Sequence, residues 1–185
     1  MDCLEGVTLM KRLFLFLYCI FMPLPCMLST VMAMPSDADE VVCIKSKLLS
    51  RKYLAVVELP GQGDCVCLTD KIFKWKLLHE GDGIFKLQAA DLGMGGCVLE
   101  SSIVDSSVHV SSDFDVVRQL WTFQVCGEKH FRIVQRVLQA APLEEDVKCL
   151  TFNVYNGQIY MAPLIDYESP SCDNQLWIIL NSYIT

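Results

Sequence analysis

Gln175-Leu176-Trp177-Ile178-Ile179 is one of three similar segments that decide the fold predicted for this chain. The other two are Gln119-Leu120-Trp121-Thr122-Phe123 and Phe73-Lys74-Trp75-Lys76-Leu77, so each of the 3 tryptophans marks one copy. A tryptophan between alternating apolar residues is usually buried and supplies a large apolar area. We therefore expect all three tryptophans in the core.

Each tryptophan is preceded by a β-hairpin and, before that hairpin, by one more strand. The hairpin strands are Tyr53–Val56 with Cys65–Leu68, Cys97–Glu100 with Ser107–Val110, and Cys149–Phe152 with Gln158–Met161. The third hairpin turns at Asn156-Gly157, a strong hairpin signal. The earlier strands lie around Ile44, Leu87 and Ile133, at nearly equal intervals. This pattern indicates a unit of four short strands that occurs three times.

A four-stranded unit of this kind cannot bury its apolar face alone, but three copies can share one core. They would close a short barrel and cap it with three hairpins, which is the β-trefoil fold. The predicted class is therefore all-β, with repeats near Val41–Asp82, Gly83–Glu128 and Lys129–Thr185. Three units are too few for a propeller, and an irregular β-sandwich with accidental similarity between the segments remains the alternative.

Composition excludes two broad classes of protein. The chain has 185 residues, enough for one ordinary domain, and 52% of them are hydrophobic, which argues against a disordered protein. Its formal net charge of −7 argues against nonspecific nucleic-acid binding, which depends on Lys and Arg that neutralise phosphates. We therefore expect no nucleic-acid partner.

The N-terminal segment has the layout of a secretory signal. Lys11 and Arg12 precede the apolar run Leu13–Met22, and Val31-Met32-Ala33 supplies the small residues of a cleavage site. The signal peptide is thus predicted to end at Ala33 and to leave residues 34–185 as a secreted or periplasmic domain without stable membrane insertion. The alternative is an uncleaved anchor, which the two prolines after the apolar run weaken as a spanning helix.

The Q-x-W pattern carries a family resemblance. Gln119-Leu120-Trp121 and Gln175-Leu176-Trp177 resemble the repeat motif of ricin-type β-trefoil lectins, and the first unit departs from it with Phe73-Lys74-Trp75. Phe131-Arg132-Ile133-Val134 and Cys149-Leu150 extend the likeness. A single trefoil of this size is also similar to the ricin-like binding subunits of bacterial cytolethal distending toxins. The resemblance implies that Trp75, Trp121 and Trp177 fill the core and that the glutamines fix the loop before the last strand.

The resemblance also implies a galactose-type site in the third unit. In the family, such a site combines an acid after the Cys-Leu strand start, an aromatic ring on the third strand and an amide before the Q-x-W motif. The matching residues here are Thr151 in place of the acid, Gln158 and Tyr160 on the third strand, and Asn174 with Gln175. A threonine hydroxyl accepts a hydrogen bond less strongly than a carboxylate, so we expect weak binding.

The other two units depart further from the sugar-site pattern. The second unit has Leu99 at the acid position and Arg118 at the amide position, and the first has Ala55 at the acid position. We therefore predict a secreted carbohydrate-binding module with one site, in the third unit, and a glycan or glycoprotein as its partner. The alternative is a protein-interaction trefoil that is the non-catalytic subunit of a toxin-like complex, with a second protein subunit as partner.

No enzyme, metal or cofactor is expected. The histidines His79, His109 and His130 lie in three different units, and no papain-like cysteine motif is present. The pair Cys65-Val66-Cys67 could face a zinc ion, but no second pair follows at metal-ligand spacing. A Kunitz-type inhibitor loop at Leu59–Gly63 ranks third among the functional hypotheses, because it carries no basic residue for a protease pocket.

Cysteines after the cleavage site are odd in number, so at least one cannot pair within the chain. In an oxidising compartment we expect at least one bridge within a repeat, and Cys149 with Cys172, which bracket the third hairpin, are the candidates. In the lectin family the second cysteine lies on the third strand, near Ala162 in this sequence. Connectivity cannot be read from the sequence itself.

Overall fold

The computed structural model describes residues 40–61, 63–90, 96–102, 104–135 and 147–181. The predicted signal peptide and its cleavage site lie outside the described residues. Within the described ranges the chain forms twelve β-strands. They are β1 Glu40–Ser46, β2 Tyr53–Leu59, β3 Gly63–Thr69, β4 Trp75–Gly81, β5 Ile84–Ala89, β6 Cys97–Ser101, β7 Val108–Ser112, β8 Trp121–Cys126, β9 His130–Gln135, β10 Lys148–Phe152, β11 Ile159–Pro163 and β12 Trp177–Asn181.

Six of these strands pair in a closed ring. β4 and β5 pair along most of their length, as do β8 and β9, while β5 pairs with β8 and β9 with β12. The ring closes because β1 pairs with both β4 and β12. Each pairing in the ring is antiparallel. This barrel excludes the open sandwich that the sequence left as an alternative.

The other six strands form three hairpins. These are β2–β3, β6–β7 and β10–β11, and they join the barrel through β1, β5 and β9. The hairpins also contact one another, because isolated bridges join Cys67 to Gln158 and Ser107 to Tyr160. A six-stranded barrel with three hairpins, built from β1–β4, β5–β8 and β9–β12, is a β-trefoil, so the predicted fold class is confirmed.

The three tryptophans occupy equivalent places in the core. Trp75, Trp121 and Trp177 are all 0% exposed. Each indole donates from Nε1 to a backbone carbonyl of its own hairpin: to Leu54 at 2.9 Å, to Leu99 at 3.0 Å and to Leu150 at 3.1 Å. A buried indole needs such an acceptor for its N–H. These three bonds define which residues of the repeats are equivalent.

The two glutamines of the Q-x-W segments bind the loop that precedes the last strand of their repeats. Gln119 accepts from the backbone N–H of Phe114 at 3.1 Å and donates to the carbonyl of Ser112 at 2.8 Å. Gln175 accepts from Ile165 N at 2.9 Å and donates to Pro163 O at 2.7 Å. In the first repeat Phe73 replaces the glutamine, and its ring packs 5.1 Å from that of Trp75. An aromatic contact there replaces the hydrogen bonds that the glutamine side chain makes to the loop in the other two repeats.

Helical structure in the described ranges is limited to short 3-10 helices, of which Val117–Gln119 and Pro170–Gln175 each lead into the tryptophan of their repeat. No helix within these ranges has the length and apolar character to cross a membrane.

Candidate ligand-binding site

Two of the five residues predicted to contact a sugar are buried. Thr151 is 1% exposed and Gln175 is 0% exposed. Gln175 Nε2 donates to Thr151 Oγ1 at 3.2 Å, and that hydroxyl donates to the carbonyl of Cys149 at 3.1 Å. Both side chains are therefore occupied by hydrogen bonds within the third repeat, and they do not present their polar atoms to a ligand.

The other three residues separate into two places. Asn174 is half-buried in the 3-10 helix Pro170–Gln175, directly before the buried Gln175. Gln158 and Tyr160 are exposed on the β11 side of the third hairpin and line an open pocket of about 440 Å³. The remaining residues that line this pocket are Asp64, Cys65, Val66, Asp105, Ser107, Val108 and Ile159.

All three hairpins contribute to the pocket. In the paired hairpins, Val66, Val108 and Ile159 occupy equivalent positions, and all three are buried. They supply the apolar part of the lining. Backbone bonds hold the hairpins together beside it, since Met161 N donates to the carbonyl of Ser106 at 2.8 Å. The site therefore lies where the three repeats meet, instead of within one repeat.

Exposed polar groups surround this apolar patch. The Tyr160 side chain is 37% exposed, and the carboxylates of Asp64 and Asp105 both reach solvent. Hydrogen bonds from Ser102 and Ser107 lower the pKa of Asp105 to about 2, so this carboxylate is ionised at physiological pH. Gln158 accepts from Asn156 Nδ2 at 3.0 Å, an arrangement that orients its amide at the rim. An aromatic ring, an amide, a hydroxyl and carboxylates thus converge on one cavity.

The second repeat has an acid at the position equivalent to Thr151. Because the indole bonds make Leu99 equivalent to Leu150, the residue equivalent to Thr151 is Glu100, and the assignment of Leu99 to the acid position is corrected. Glu100 is buried, and it accepts hydrogen bonds from Gln119 Nε2 at 2.9 Å and from Ser111. Arg118 Nη2 lies 2.9 Å from Glu100 Oε1. The acid is therefore already neutralised by its own repeat.

Cys149 and Cys172 are buried free thiols, so the structure does not contain the bridge expected from the sequence. Cys149 lies in β10, with its Sγ 3.9 Å from Thr151 Oγ1. Cys172 lies in the 3-10 helix, where Arg132 Nη2 donates to its Sγ at 3.1 Å. Burial raises the pKa of Cys149 to about 11, which keeps it protonated at neutral pH.

Over the described part of the chain, no group of three or more His, Cys, Asp or Glu side chains is arranged to hold a metal ion. The acidic side chains Glu80, Asp113 and Asp115 surround the Lys86 ammonium at 2.9–3.3 Å and form an ion-pair network with it.

We expect low pH to destabilise the protein by protonating carboxylates that accept hydrogen bonds in the folded state. Burial raises the pKa of Glu100, but hydrogen bonds from Ser111 and Gln119 and the charge of Arg118 outweigh it, so the pKa is lowered. The hydrogen bond from Lys86 likewise lowers the pKa of Asp113. Their contribution to stability is complete above about pH 4, the unfolded pKa, and is lost as the pH falls through the lower folded values.

Thermal unfolding between about pH 7 and pH 2 measures this effect. The Tm should decline below about pH 4, and the decline should be shallower in Glu100→Gln, which has no charge to lose. A Glu100→Gln protein with the wild-type pH dependence would contradict the role given to this carboxylate.

The chain resembles known proteins in structure but matches no protein family or curated protein in sequence. Among solved structures, the designed 3-fold symmetric protein ThreeFoil is 20% identical, with a TM-score of 0.55 over 76% of this chain and 98% of that one.

Two sugar-bound lectin structures are also similar. The Polyporus squamosus lectin, bound to the epitope Neu5Aca2-6Galb1-4GlcNAc, is 13% identical, with a TM-score of 0.60 over 80% of this chain and 50% of that one. SeviL, bound to asialo-GM1 saccharide, is 13% identical, with a TM-score of 0.53 over 79% of this chain and 100% of that one. At such identities the similarity concerns the fold, and it agrees with the β-trefoil derived from the strand pairing.

Proposed function

We propose that this protein is a secreted, non-catalytic glycan-binding protein whose ligand occupies the pocket between the three hairpins. The observation that carries the proposal is the exposed ring of Tyr160 beside the polar groups of Gln158, Ser107 and Asp105 in one open cavity. Ligand sites commonly combine an apolar surface with a few convergent polar groups that fix orientation. Secretion rests on the N-terminal signal layout alone.

The chemistry of the lining matches that of a sugar. A sugar ring has one face rich in C–H groups, which can pack on the exposed ring of Tyr160, and a periphery of hydroxyls. An ionised carboxylate offers about four acceptor positions; on Asp105, Ser107 N at 3.1 Å and the hydroxyls of Ser102 and Ser107 already use part of them. Asn156 Nδ2 donates to the carbonyl oxygen of Gln158, and the amide nitrogen of Gln158 can donate to a ligand hydroxyl.

Similar structures support the proposal by analogy. The Polyporus squamosus lectin and SeviL were each solved with a bound saccharide, and both resemble this chain in fold. Fold alone does not assign function, so the argument depends on the pocket. The site proposed here differs from the third-repeat site of the sequence analysis, because Tyr160 and Gln158 now act with Asp105 and Ser107 instead of with Thr151 and Asn174.

A glycan array probed with the exported protein tests this function. We expect binding to a subset of glycans, with a dissociation constant of order millimolar for one site, which corresponds to about 4 kcal/mol. Multivalent display on the array compensates for weak single sites. A folded protein, verified by its far-UV circular dichroism, that binds no glycan would refute the proposal.

A protein-binding role is the second candidate, and exposed apolar side chains at the hairpin turns favour it. Val104 in the β6–β7 turn is 89% exposed, and Tyr155 in the β10–β11 turn is 96% exposed. Exposed apolar groups of this kind can mark interaction surfaces when they are contiguous. Co-purification of a second polypeptide in stoichiometric amount with the exported protein, together with an empty glycan array, would favour this role over the first.

A further inference from the structure

The sides of the pocket differ in charge. Asp64 on β3 and Asp105 before β7 bring carboxylates to two sides, whereas the third hairpin brings the neutral Gln158 and Tyr160. None of the described residues that line the pocket is Lys or Arg. Lys148 approaches the rim from β10, where its Nζ lies 3.4 Å from Ser106 Oγ. A ligand in the pocket therefore meets two negative charges and one basic side chain at the periphery.

Asp105 is a fixed negative charge. The backbone N–H of Ser107 donates to its Oδ1 at 3.1 Å, which holds the carboxylate in the turn. Hydrogen bonds from Ser102 and Ser107 keep its pKa near 2, so protonation does not relieve repulsion toward an anionic ligand at physiological pH. The turn therefore fixes the position of this carboxylate, and its negative charge does not change near physiological pH.

The aromatic ring also favours a cationic group over an anionic one. Tyr160 exposes its side chain on the third side of the pocket. The face of an aromatic ring attracts cations and not anions, because its quadrupole is negative there. Carboxylates and an exposed ring around one cavity thus favour a positively charged group in the ligand and disfavour a negatively charged one.

We propose that the pocket selects its glycan by charge: it prefers sugars with a free ammonium group to their N-acetylated counterparts and neutral sugars to those with a carboxylate, such as sialylated ones. This inference rests on the proposed function, since it concerns the same pocket. It goes further in naming the class of sugar. The net charge of −7 on the whole chain acts in the same direction.

The test uses two matched pairs of sugars titrated into the full exported protein by NMR, at a pH of about 6 where an amino sugar is protonated. The pairs are galactosamine with N-acetylgalactosamine, and lactose with 3′-sialyllactose. We expect the first member of each pair to bind about five-fold more tightly, which is the upper range for exposed ion pairs. Raising the salt concentration should reduce both ratios, because salt screens exposed charges.

Three variants connect this selectivity to the pocket. Asp64→Asn and Asp105→Asn should each reduce both ratios, and the use of two sites protects the test against a local change in the Asp105 turn. Asp82→Asn is the matched control: it removes the same charge from an exposed turn outside the pocket, where its positive φ of 50° also suits asparagine. It should leave both ratios unchanged.

The outcomes separate the two proposals. Equal affinities within each pair, or tighter binding of the sialylated sugar, would overturn charge selection and leave glycan binding intact. Ratios that change as much in Asp82→Asn as in the pocket variants would also overturn it. Binding of none of the four sugars would overturn this inference, while the glycan array would still decide the proposed function.

Discussion

Replacing Trp177 with alanine is expected to lower the free energy of unfolding by about 3–5 kcal/mol. The side chain is 0% exposed, and its ring packs 6.2 Å from that of Phe152. The substitution leaves a cavity and also deprives the Leu150 carbonyl of its indole donor, a bond of 3.1 Å. Trp177 further belongs to the strand that closes the barrel, where it pairs with Ser46 on β1 and with Phe131 on β9.

Denaturant-induced unfolding of the wild type and variant measures this loss. Phe114→Ala is the control, because its side chain is largely exposed and its truncation should change stability by at most about 0.5 kcal/mol. Trp177→Ala with near wild-type stability would contradict the position of this residue in a shared core.

Replacing Tyr160 with alanine is expected to weaken glycan binding at least ten-fold, which at millimolar affinity places binding beyond detection. The ring is the only aromatic group among the described residues that line the pocket. Tyr160 pairs with Thr151 through its backbone, and alanine retains that pairing. Because Tyr160 is only 37% exposed, truncation also removes buried ring area, and we expect a loss of stability of about 1–2 kcal/mol.

Titration of the best array glycan into wild type and variants provides the measurement. Tyr155→Ala is the matched control, since it makes the same chemical change in the turn of the same hairpin but outside the pocket. It should bind like the wild type. Equal affinity of Tyr160→Ala and the wild type, with both folded, would remove Tyr160 from the site.

The repeat pattern was predictable from the sequence because its determinants are local. A tryptophan needs burial and an acceptor for its N–H, and each hairpin strand shows its own alternation of apolar residues. In the structure the three indoles bind equivalent carbonyls, those of Leu54, Leu99 and Leu150. The strand pairing likewise repeats one four-stranded unit three times.

The position of Glu100 is hidden in the sequence because the cysteines are a misleading reference point. Cys97 and Cys149 each begin a strand-like run, but they are not at equivalent positions of their repeats. The indole bonds instead place Leu99 with Leu150, which shifts the second repeat by one residue. The loops between hairpin and tryptophan differ in length among the repeats, so counting back from the tryptophans does not resolve this shift either.

The pocket could be anticipated only in part. Gln158 and Tyr160 were identified from the resemblance, but Asp64, Asp105 and Ser107 come from other hairpins that are distant in sequence. Only the folded chain brings them together, through bridges such as that between Ser107 and Tyr160. The burial of the Thr151 hydroxyl was equally beyond the sequence, because its partner Gln175 lies 24 residues later in the chain.

Mapping of backbone amide chemical shifts during titration with a glycan found on the array tests the central claim most directly. A ligand in the proposed pocket should perturb three separate segments, one from each hairpin: Asp64–Val66, Asp105–Val108 and Gln158–Tyr160. The amides around Thr151 and Asn174 should change less. Perturbations confined to the third repeat around Asn174, with none at Asp64 or Asp105, would contradict the shared pocket and favour a site within that single repeat.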